Sequence, residues 1–352
     1  MRWPVAALAP LCSALGRASI SGVAIALVAC GDPAGTNAGA QSSPSATPQE
    51  LTEASVAADK ALDDGRLDDA LTLARFVAER DPSERGPELL GRVWLAKATQ
   101  ADRSGNREGA TAARQAAADA YRRAADRAPR NAALQDATAM VLDTNGEVLV
   151  AATYYDRATE AEPSNVGFRL HRANSLLRRK AMAEALADAD RAIALAPDEA
   201  WAHAIRGEAL TALHRLDDAI VAAQEARRLG PSETSFRVLH ARILRAQGKA
   251  SDAVELLVAL DESLRASIAV AGELALAWND TGRPERAAST WELVYRRAAP
   301  HERLRAALEA GRYSIAAKRR EDAKSWLDIA SVIAPNDPAV TELAERLKSS
   351  GS

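Results

Sequence analysis

The sequence predicts an all-α solenoid in which antiparallel helix pairs stack one after another along the chain. Prolines recur at a constant spacing of about 34 residues, here called the repeat period, and alanines recur at the same spacing in an independent register. A unit of this length is one pair of helices, which cannot bury its own apolar face, so neighbouring units must stack. Only 4% of the residues are aromatic, which suits helices that pack through small side chains.

Two residue types define the repeat. The prolines lie at Pro129, Pro163, Pro197 and Pro231. Proline ends the second helix of each unit, while alanine lets two helices approach closely without the helix cost of glycine. Gly146, Gly248 and Gly282 fall between the two helices of a unit, where a positive φ is often needed. The alanines keep the spacing at Ala117, Ala151, Ala185, Ala219, Ala253 and Ala287.

Eight units and a final helix fit the chain between residues 49 and 348. Ala70 marks the first unit, and the interval from Ala70 to Ala117 exceeds the repeat period by roughly 13 residues. The excess predicts a second pair with helices about two turns longer, near 85–104 and 106–128. Arg265 and Ala299 replace the closing proline in two units. Residues 337–348 are amphipathic and predict the polar-faced capping helix that such stacks require.

The repeat resembles that of the tetratricopeptide family. The resemblance rests on the repeat period, the closing proline, an aromatic site beginning at Tyr121 and Tyr155, and an early small residue in each first helix. It implies a right-handed superhelical solenoid whose first helices line a concave groove for protein or peptide partners. The early small residues are Ala139, Ala173, Gly207, Ala241, Ala275 and Gly311.

Mapping the repeat register onto that groove gives candidate partner-binding residues. Tryptophan and arginine dominate binding hot spots, and a helix or an extended peptide is the expected occupant. For each residue taken alone, a solvated side chain is the simpler interpretation. Family members that clamp a terminal carboxylate use a residue pattern of which only Asn174 is present, so we expect no such clamp. The candidates are His171, Asn174, Arg178, Trp201, Glu208, Arg242, Arg245, Glu273, Asn279, Arg305 and Arg312.

The N-terminal residues indicate export. An apolar run at 18–29 follows Arg17 and is too short to span a bilayer as a helix, but it has the length of a signal-peptide core. It ends in Leu27-Val28-Ala29-Cys30-Gly31, which resembles the bacterial lipobox and implies cleavage before Cys30 and its lipidation. We therefore expect a lipoprotein signal peptide at 1–29, a disordered tether at 30–48 and the solenoid at 49–348. A plain signal peptide or an uncleaved anchor is the alternative.

The expected location is the periplasmic face of the cell envelope. A doubly or triply acylated terminus holds a protein stably on its membrane. Asp32 stands one place later than the aspartate that, by resemblance to enterobacterial lipoproteins, retains a protein at the inner membrane. We therefore expect the outer membrane rather than the inner membrane.

Several function classes lack support in the sequence. The net charge is −3 and no basic stripe is visible, which argues against nucleic-acid binding. Both cysteines, Cys12 and Cys30, precede the predicted solenoid, so the mature chain has no second thiol for a metal site. The five histidines lack paired-ligand spacing, and no phosphate loop or nucleophile elbow occurs. We expect no enzyme activity, no cofactor, no metal and no small-molecule substrate.

The predicted function is a non-enzymatic scaffold or adaptor lipoprotein of the bacterial cell envelope. It would gather proteins for secretion, pilus, outer-membrane or exopolysaccharide assembly. Two alternatives stay open: an enzyme with an unrecognised site, for example in the long second helix pair, and an adaptor anchored by residues 18–29 that faces the cytoplasm. Palmitate labelling of Cys30 distinguishes the lipoprotein from the second alternative.

Overall fold

The computed structural model describes residues 46–350, which form helices and turns without any strand. None of these helices has both the length and the apolar character needed to cross a bilayer. The signal peptide predicted at 1–29, Cys30, and the tether predicted at 30–48 except for its last three residues lie outside the described residues. The first nine helices are α1 (Pro48–Asp63), α2 (Leu67–Arg80), α3 (Arg85–Arg103), α4 (Arg107–Arg127), α5 (Ala132–Thr144), α6 (Val148–Ala161), α7 (Val166–Arg178), α8 (Met182–Leu195) and α9 (Ala200–Ala212).

The second half of the chain continues the same alternation of helices and short turns. It ends with one unpaired helix. The remaining helices are α10 (Leu216–Leu229), α11 (Thr234–Ala246), α12 (Ala250–Val258), α13 (Glu262–Arg265), α14 (Ile268–Asp280), α15 (Pro284–Arg297), α16 (Pro300–Ala316), α17 (Arg320–Ile333) and α18 (Pro338–Ser349).

Consecutive helices pack as pairs, and the pairs stack in chain order. The first helices of the eight pairs are α1, α3, α5, α7, α9, α11, α14 and α16, and α18 packs on α16 and α17 as the capping helix. This confirms the predicted all-α solenoid of eight pairs. The second pair is longer than the others, with 19 residues in α3 and 21 in α4, as the spacing between Ala70 and Ala117 predicts.

Small residues set the distance between the helices. The alanines that recur with the repeat period are all fully buried in the second helices. Each faces the first helix of its own unit, and an alanine methyl permits a closer approach than any larger apolar side chain. The aromatic site is buried as well at Tyr121, Tyr155 and Trp291. The periodic positions of the sequence are therefore the core positions of the solenoid.

The turn inside each unit needs one residue in the left-handed region. Gly146, Gly248 and Gly282 have positive φ as predicted. The same register position holds Lys180 and His214, with φ of 61° and 59°. Two backbone hydrogen bonds close the end of α7 at this turn. The N–H of Lys180 donates to the carbonyl of Leu177, and the N–H of Ala181 donates to the carbonyl of Leu176. These bonds hold a conformation that costs a non-glycine residue on the order of 1 kcal/mol.

The sixth unit departs from the pattern. Its second helix, α12, ends at Val258 after nine residues, whereas the second helix of the fifth unit, α10, has 14. The chain then starts the four-residue helix α13 after Asp261, a residue type favoured at helix starts. Arg265 occupies the place of the closing proline in this unit. The break leaves a gap that the last turn of α12 would otherwise fill.

Two buried glycines give a test of the close packing. A Cβ added at Gly86 would lie 2.7 Å from the Cα of Ala78 on α2, whereas at Gly207 the nearest atom is 3.5 Å away. We expect Gly86→Ala to push α2 and α3 apart and to lower the free energy of unfolding by about 1–3 kcal/mol. Gly207→Ala introduces the alanine that the neighbouring units have at this position. It should raise the free energy of unfolding by up to about 1 kcal/mol. Urea unfolding followed by circular dichroism measures both, and equal effects would contradict the packing.

Candidate protein-binding surface on the first helices

The first helices lie side by side. From α5 to α14, each first helix contacts the first helix of the next unit, while second helices of neighbouring units make at most sparse contacts. The solvent-facing sides of the first helices therefore form a continuous surface, here called the first-helix surface. All eleven residues predicted to line a groove lie on these helices, between α7 and α16.

Ion pairs join α1 to α3, α5 to α7, α11 to both α9 and α14, and α16 to the capping helix α18. The sign of the contributing side chains alternates along this series. The acidic partners come from α1, α5, α9, α14 and α18, and the basic partners come from α3, α7, α11 and α16. We call this set of contacts the charge ladder. Its pairs are Asp59 with Arg92, Asp136 with His171, Asp143 with Arg178, Glu208 with Arg242, Glu273 with Arg242 and Arg245, Asp280 with Arg245, and Glu342 with Arg312.

Arg245 is held firmly by two acidic groups of α14. Its Nη1 donates to Glu273 Oε1 at 2.6 Å, and its Nε donates to Asp280 Oδ2 at 2.8 Å. Its side chain is only 18% exposed, and Glu273 itself is buried. Two nitrogens of the Arg245 guanidinium are thus engaged by carboxylates within the solenoid. Arg245 is therefore a structural residue that joins α11 to α14.

Arg242 is held loosely by comparison. It approaches Glu208 and Glu273 only at 3.6 Å, which is beyond hydrogen-bond distance, and its side chain is 40% exposed. A cleft of about 230 Å³ lies beside it, with Leu177, Met182 and Leu239 among its lining residues. Apolar walls next to an incompletely satisfied guanidinium are the composition of a binding hot spot.

His171 and Arg178 hold α7 against α5. The Nδ1 atom of His171 lies 2.7 Å from Oδ2 of the buried Asp136, and Arg178 pairs with the buried Asp143. Burial raises the pKa of Asp136, against the opposing effect of the His171 hydrogen bond and charge. Removing either basic partner would leave a buried carboxylate uncompensated. Two residues predicted to bind a partner thus have a role in the stacking of the units.

The other predicted residues are distributed along the surface. Trp201 is half-buried and packs edge-on against Phe236, with ring centroids 4.9 Å apart. The Arg305 guanidinium lies 5.9 Å from the ring centroid of Trp291. Arg312 pairs with Glu309 at 2.9 Å as well as with Glu342. Asn174 is half-buried on α7 and Asn279 is exposed at the end of α14.

The structure therefore brings only part of the predicted set together. Glu208, Arg242, Arg245 and Glu273 form one group across α9, α11 and α14. The sequence analysis did not identify several acidic residues that pair with the basic residues of this surface. The repeat register had been used to align small and aromatic residues, and the charged residues were not compared across units. Several of the charged pairs are themselves about one repeat period apart in the chain, so the same register would have found them. The missed partners are Asp59, Asp136, Asp143, Asp280 and Glu342.

Comparisons with known proteins agree with this architecture. Residues 137–200 match the family model of the tetratricopeptide repeat. The chain is similar to a solved tetratricopeptide repeat protein from Parabacteroides merdae ATCC 43184, with 18% identity and a TM-score of 0.50, over 73% of this chain and 98% of that one. It is similar to a chain of the APC/C hetero-tetramer Cut9-Hcn1, with 15% identity and a TM-score of 0.50, over 82% of this chain and 54% of that one. No curated protein matches the sequence.

The fold and the family match define a helical repeat solenoid of the class that binds other proteins. Residues 137–200, from α5 to the start of α9, match the tetratricopeptide-repeat family, and the fold of stacked helix pairs extends from α1 to α18. This confirms the resemblance seen in the sequence. The class points to a non-catalytic binding protein. In residues 46–350 no group of three or more metal-ligating side chains is placed to hold an ion.

Arg245 gives a test of the charge ladder. We expect Arg245→Met to lower the free energy of unfolding by roughly 2–4 kcal/mol, because it leaves the buried Glu273 without its close partner. The control Arg215→Met removes an ion pair with Asp218 in which both side chains are half exposed, and should leave the unfolding midpoint unchanged. Similar effects of the two substitutions in urea unfolding would show that the ladder does not stabilise the stack.

His240 lies beneath this surface on α11. Its side chain is 5% exposed, and its buried Nδ1 has no hydrogen-bond partner in residues 46–350. Burial, with a smaller effect of Arg227, lowers the pKa of His240 to about 4. The imidazole is therefore neutral in the folded chain over the physiological pH range.

The lowered pKa makes stability depend on pH. Between pH 6.5 and 4 the unfolded chain binds a proton at His240 that the folded chain does not, so stability falls as the pH falls. Between pH 7 and pH 5 this group should remove about 2 kcal/mol. His240→Leu should abolish that part of the pH dependence. The measurement is urea unfolding of both proteins at the two pH values, and parallel losses in the two would show that His240 titrates normally.

Proposed function

We propose that the chain is a non-enzymatic scaffold or adaptor that binds envelope proteins on its first-helix surface. The observation that carries the proposal is the cleft beside Arg242, where apolar walls meet an arginine whose internal contacts are long. Replacing contacts of 3.6 Å with direct hydrogen bonds to a partner costs the solenoid little. The tetratricopeptide-repeat fold supports this function as a class.

The partner element is a helix or an extended peptide. An apolar side chain would enter the cleft between Leu177 and Met182, and polar side chains beside it would pair with Glu208 and Arg242. Because the ladder balances acidic against basic groups, selection of the partner depends on the position of charges more than on net charge. Such a surface suits an adaptor that holds particular proteins together.

The location is proposed from the sequence. Leu27-Val28-Ala29-Cys30 and the preceding apolar run support lipidation of Cys30, so the solenoid would be held by a lipid at the periplasmic face of the envelope. The placement of Asp32 supports the outer membrane rather than the inner membrane. A surface-tethered scaffold there would act in secretion, pilus, outer-membrane or exopolysaccharide assembly.

The test is cross-linking in the native envelope, followed by purification of the chain and quantitative mass spectrometry. Arg242→Ala and Met182→Glu each change the cleft, and we expect both to reduce the same few envelope partners at least tenfold. Arg228→Ala is the matched control, because Arg228 is a largely exposed arginine on the second helix α10. Partners that survive both cleft substitutions would place the binding face elsewhere.

A Cys30→Ala form separates location from binding. It should lose palmitate labelling and leave the membrane fraction, while the purified chain keeps the partners that depend on Arg242. Retention of the label and of membrane association would refute the lipid anchor and leave the scaffold function standing.

A further inference from the structure

A donor side chain near the start of several first helices holds the loop that precedes it. Gln135 donates from Nε2 to the carbonyls of Ala125 and Ala128. Arg169 donates to the Pro163 carbonyl at 2.9 Å and 2.6 Å, and His203 donates from Nε2 to the Pro197 carbonyl at 2.8 Å. Each donor follows the previous one by one repeat period, and Arg169 and His203 bind the carbonyls of equivalent prolines.

Arg237 is the next residue in this register, and it is the exception. It makes no hydrogen bond or ion pair with any residue in the range 46–350, although it is half-buried. Its guanidinium has five N–H donors and no acceptor for them in this part of the chain. An acceptor from another molecule would satisfy it.

The space around Arg237 results from the break in the sixth unit. Because α12 ends early, a cleft of about 320 Å³ opens between the loops at 230–233 and 259–261. Its walls include Pro231, Leu260 and Leu264, and Asp261 lines it without forming an ion pair with Arg237. Val258 and Leu264 beside the cleft are each 39% exposed. The volume is within the range of sites that take a side chain or a small group.

This cleft differs from the one beside Arg242. The two share no lining residue, and the cleft at Arg237 lies at the loops between units, not on the first-helix surface. The lining is mixed, with Ser232 and Thr234 beside the apolar walls, and a half-buried arginine next to apolar side chains is a typical anchor of protein interfaces. The exposed Asp261 belongs to the rim, where a charge contributes to selection more than to affinity.

We propose that the cleft at Arg237 is a second protein-docking surface, which takes an acidic side chain of a partner protein. The partner carboxylate accepts the hydrogen bonds that Arg237 does not make internally, and an adjacent apolar side chain covers Leu260 and Leu264. Asp261 favours a basic residue at the edge of the same partner segment. The chain would then bind two proteins at once, one on the first-helix surface and one at this edge.

The first arm of the test separates a binding role from a structural role. Arg237→Ala should leave the urea unfolding midpoint of the full chain unchanged, since Arg237 has no partner in the described part of the chain. Arg169→Ala, at the same register position, should lower the midpoint, because it loses two hydrogen bonds to Pro163 and an ion pair with the buried Asp188. A loss of stability in Arg237→Ala as large as that in Arg169→Ala would overturn the proposal.

The second arm identifies what the cleft binds. A displayed library of short random peptides is selected on the full chain and depleted on the Arg237→Ala form. We expect the survivors to carry Asp or Glu next to Leu, Ile, Phe or Met. A synthetic survivor should bind at least tenfold more weakly to Arg237→Ala and equally well to Arg242→Ala.

Three outcomes would overturn the proposal. The first is that depletion on Arg237→Ala removes every selected peptide. The second is that the surviving peptides lack an acidic residue. The third is that changing the acidic residue of a survivor to its amide leaves its affinity for the chain unchanged. Loss of binding in Arg242→Ala would assign the peptide to the first-helix surface instead. Because the arms use different arginines, failure at Arg237 leaves the proposed scaffold function untouched.

Discussion

The close approach of two helices at a buried alanine is the contact on which the rest of the structure depends. It recurs with the repeat period, and each of these alanines is fully buried, so a small side chain there lets the two helices of a unit lie close together. The tight turn between those helices has one residue in the left-handed conformation, which Lys180 and His214 adopt without being glycine. Close helix packing and a tight turn thus recur together in the units.

Ion pairs between neighbouring helices add specific polar contacts to this apolar packing. In the charge ladder the acidic partners of one helix meet the basic partners of its neighbour, from α1 with α3 to α11 with α14. Buried carboxylates such as Asp136 and Glu273 make the pairing strong where the ladder passes below the surface. The same carboxylates reduce the number of side chains available on the first-helix surface, because an arginine that already donates its hydrogen bonds to them has few donors left for a partner protein. Arg245 and Arg242 lie close together on α11 and illustrate the two cases.

Departures from the repeat carry the functional information. Where the pattern is regular, a side chain near the start of the first helix satisfies the preceding loop, as Arg169 and His203 do. Where α12 is short, the same position holds an unsatisfied arginine beside an open cleft. A solenoid stabilises itself locally, unit by unit, so one unit can lose part of a helix and gain a surface while its neighbours remain intact. An adaptor that binds more than one protein needs such separate surfaces.

The sequence by itself determined the class of fold, the number of units, the long second pair and the core alanines. It could do so because each unit contacts only its neighbours, and so the contacts repeat with the period of the chain. Only the tertiary structure decided which charged residues pair. Charged side chains are several ångströms long, so their pairing depends on the distances between the helices that carry them. It showed that His171, Arg178 and Arg245 pair with other helices, and that Arg237 has no such partner among residues 46–350. Local spacing predicts burial, whereas the availability of a polar group depends on every neighbour that the fold brings to it.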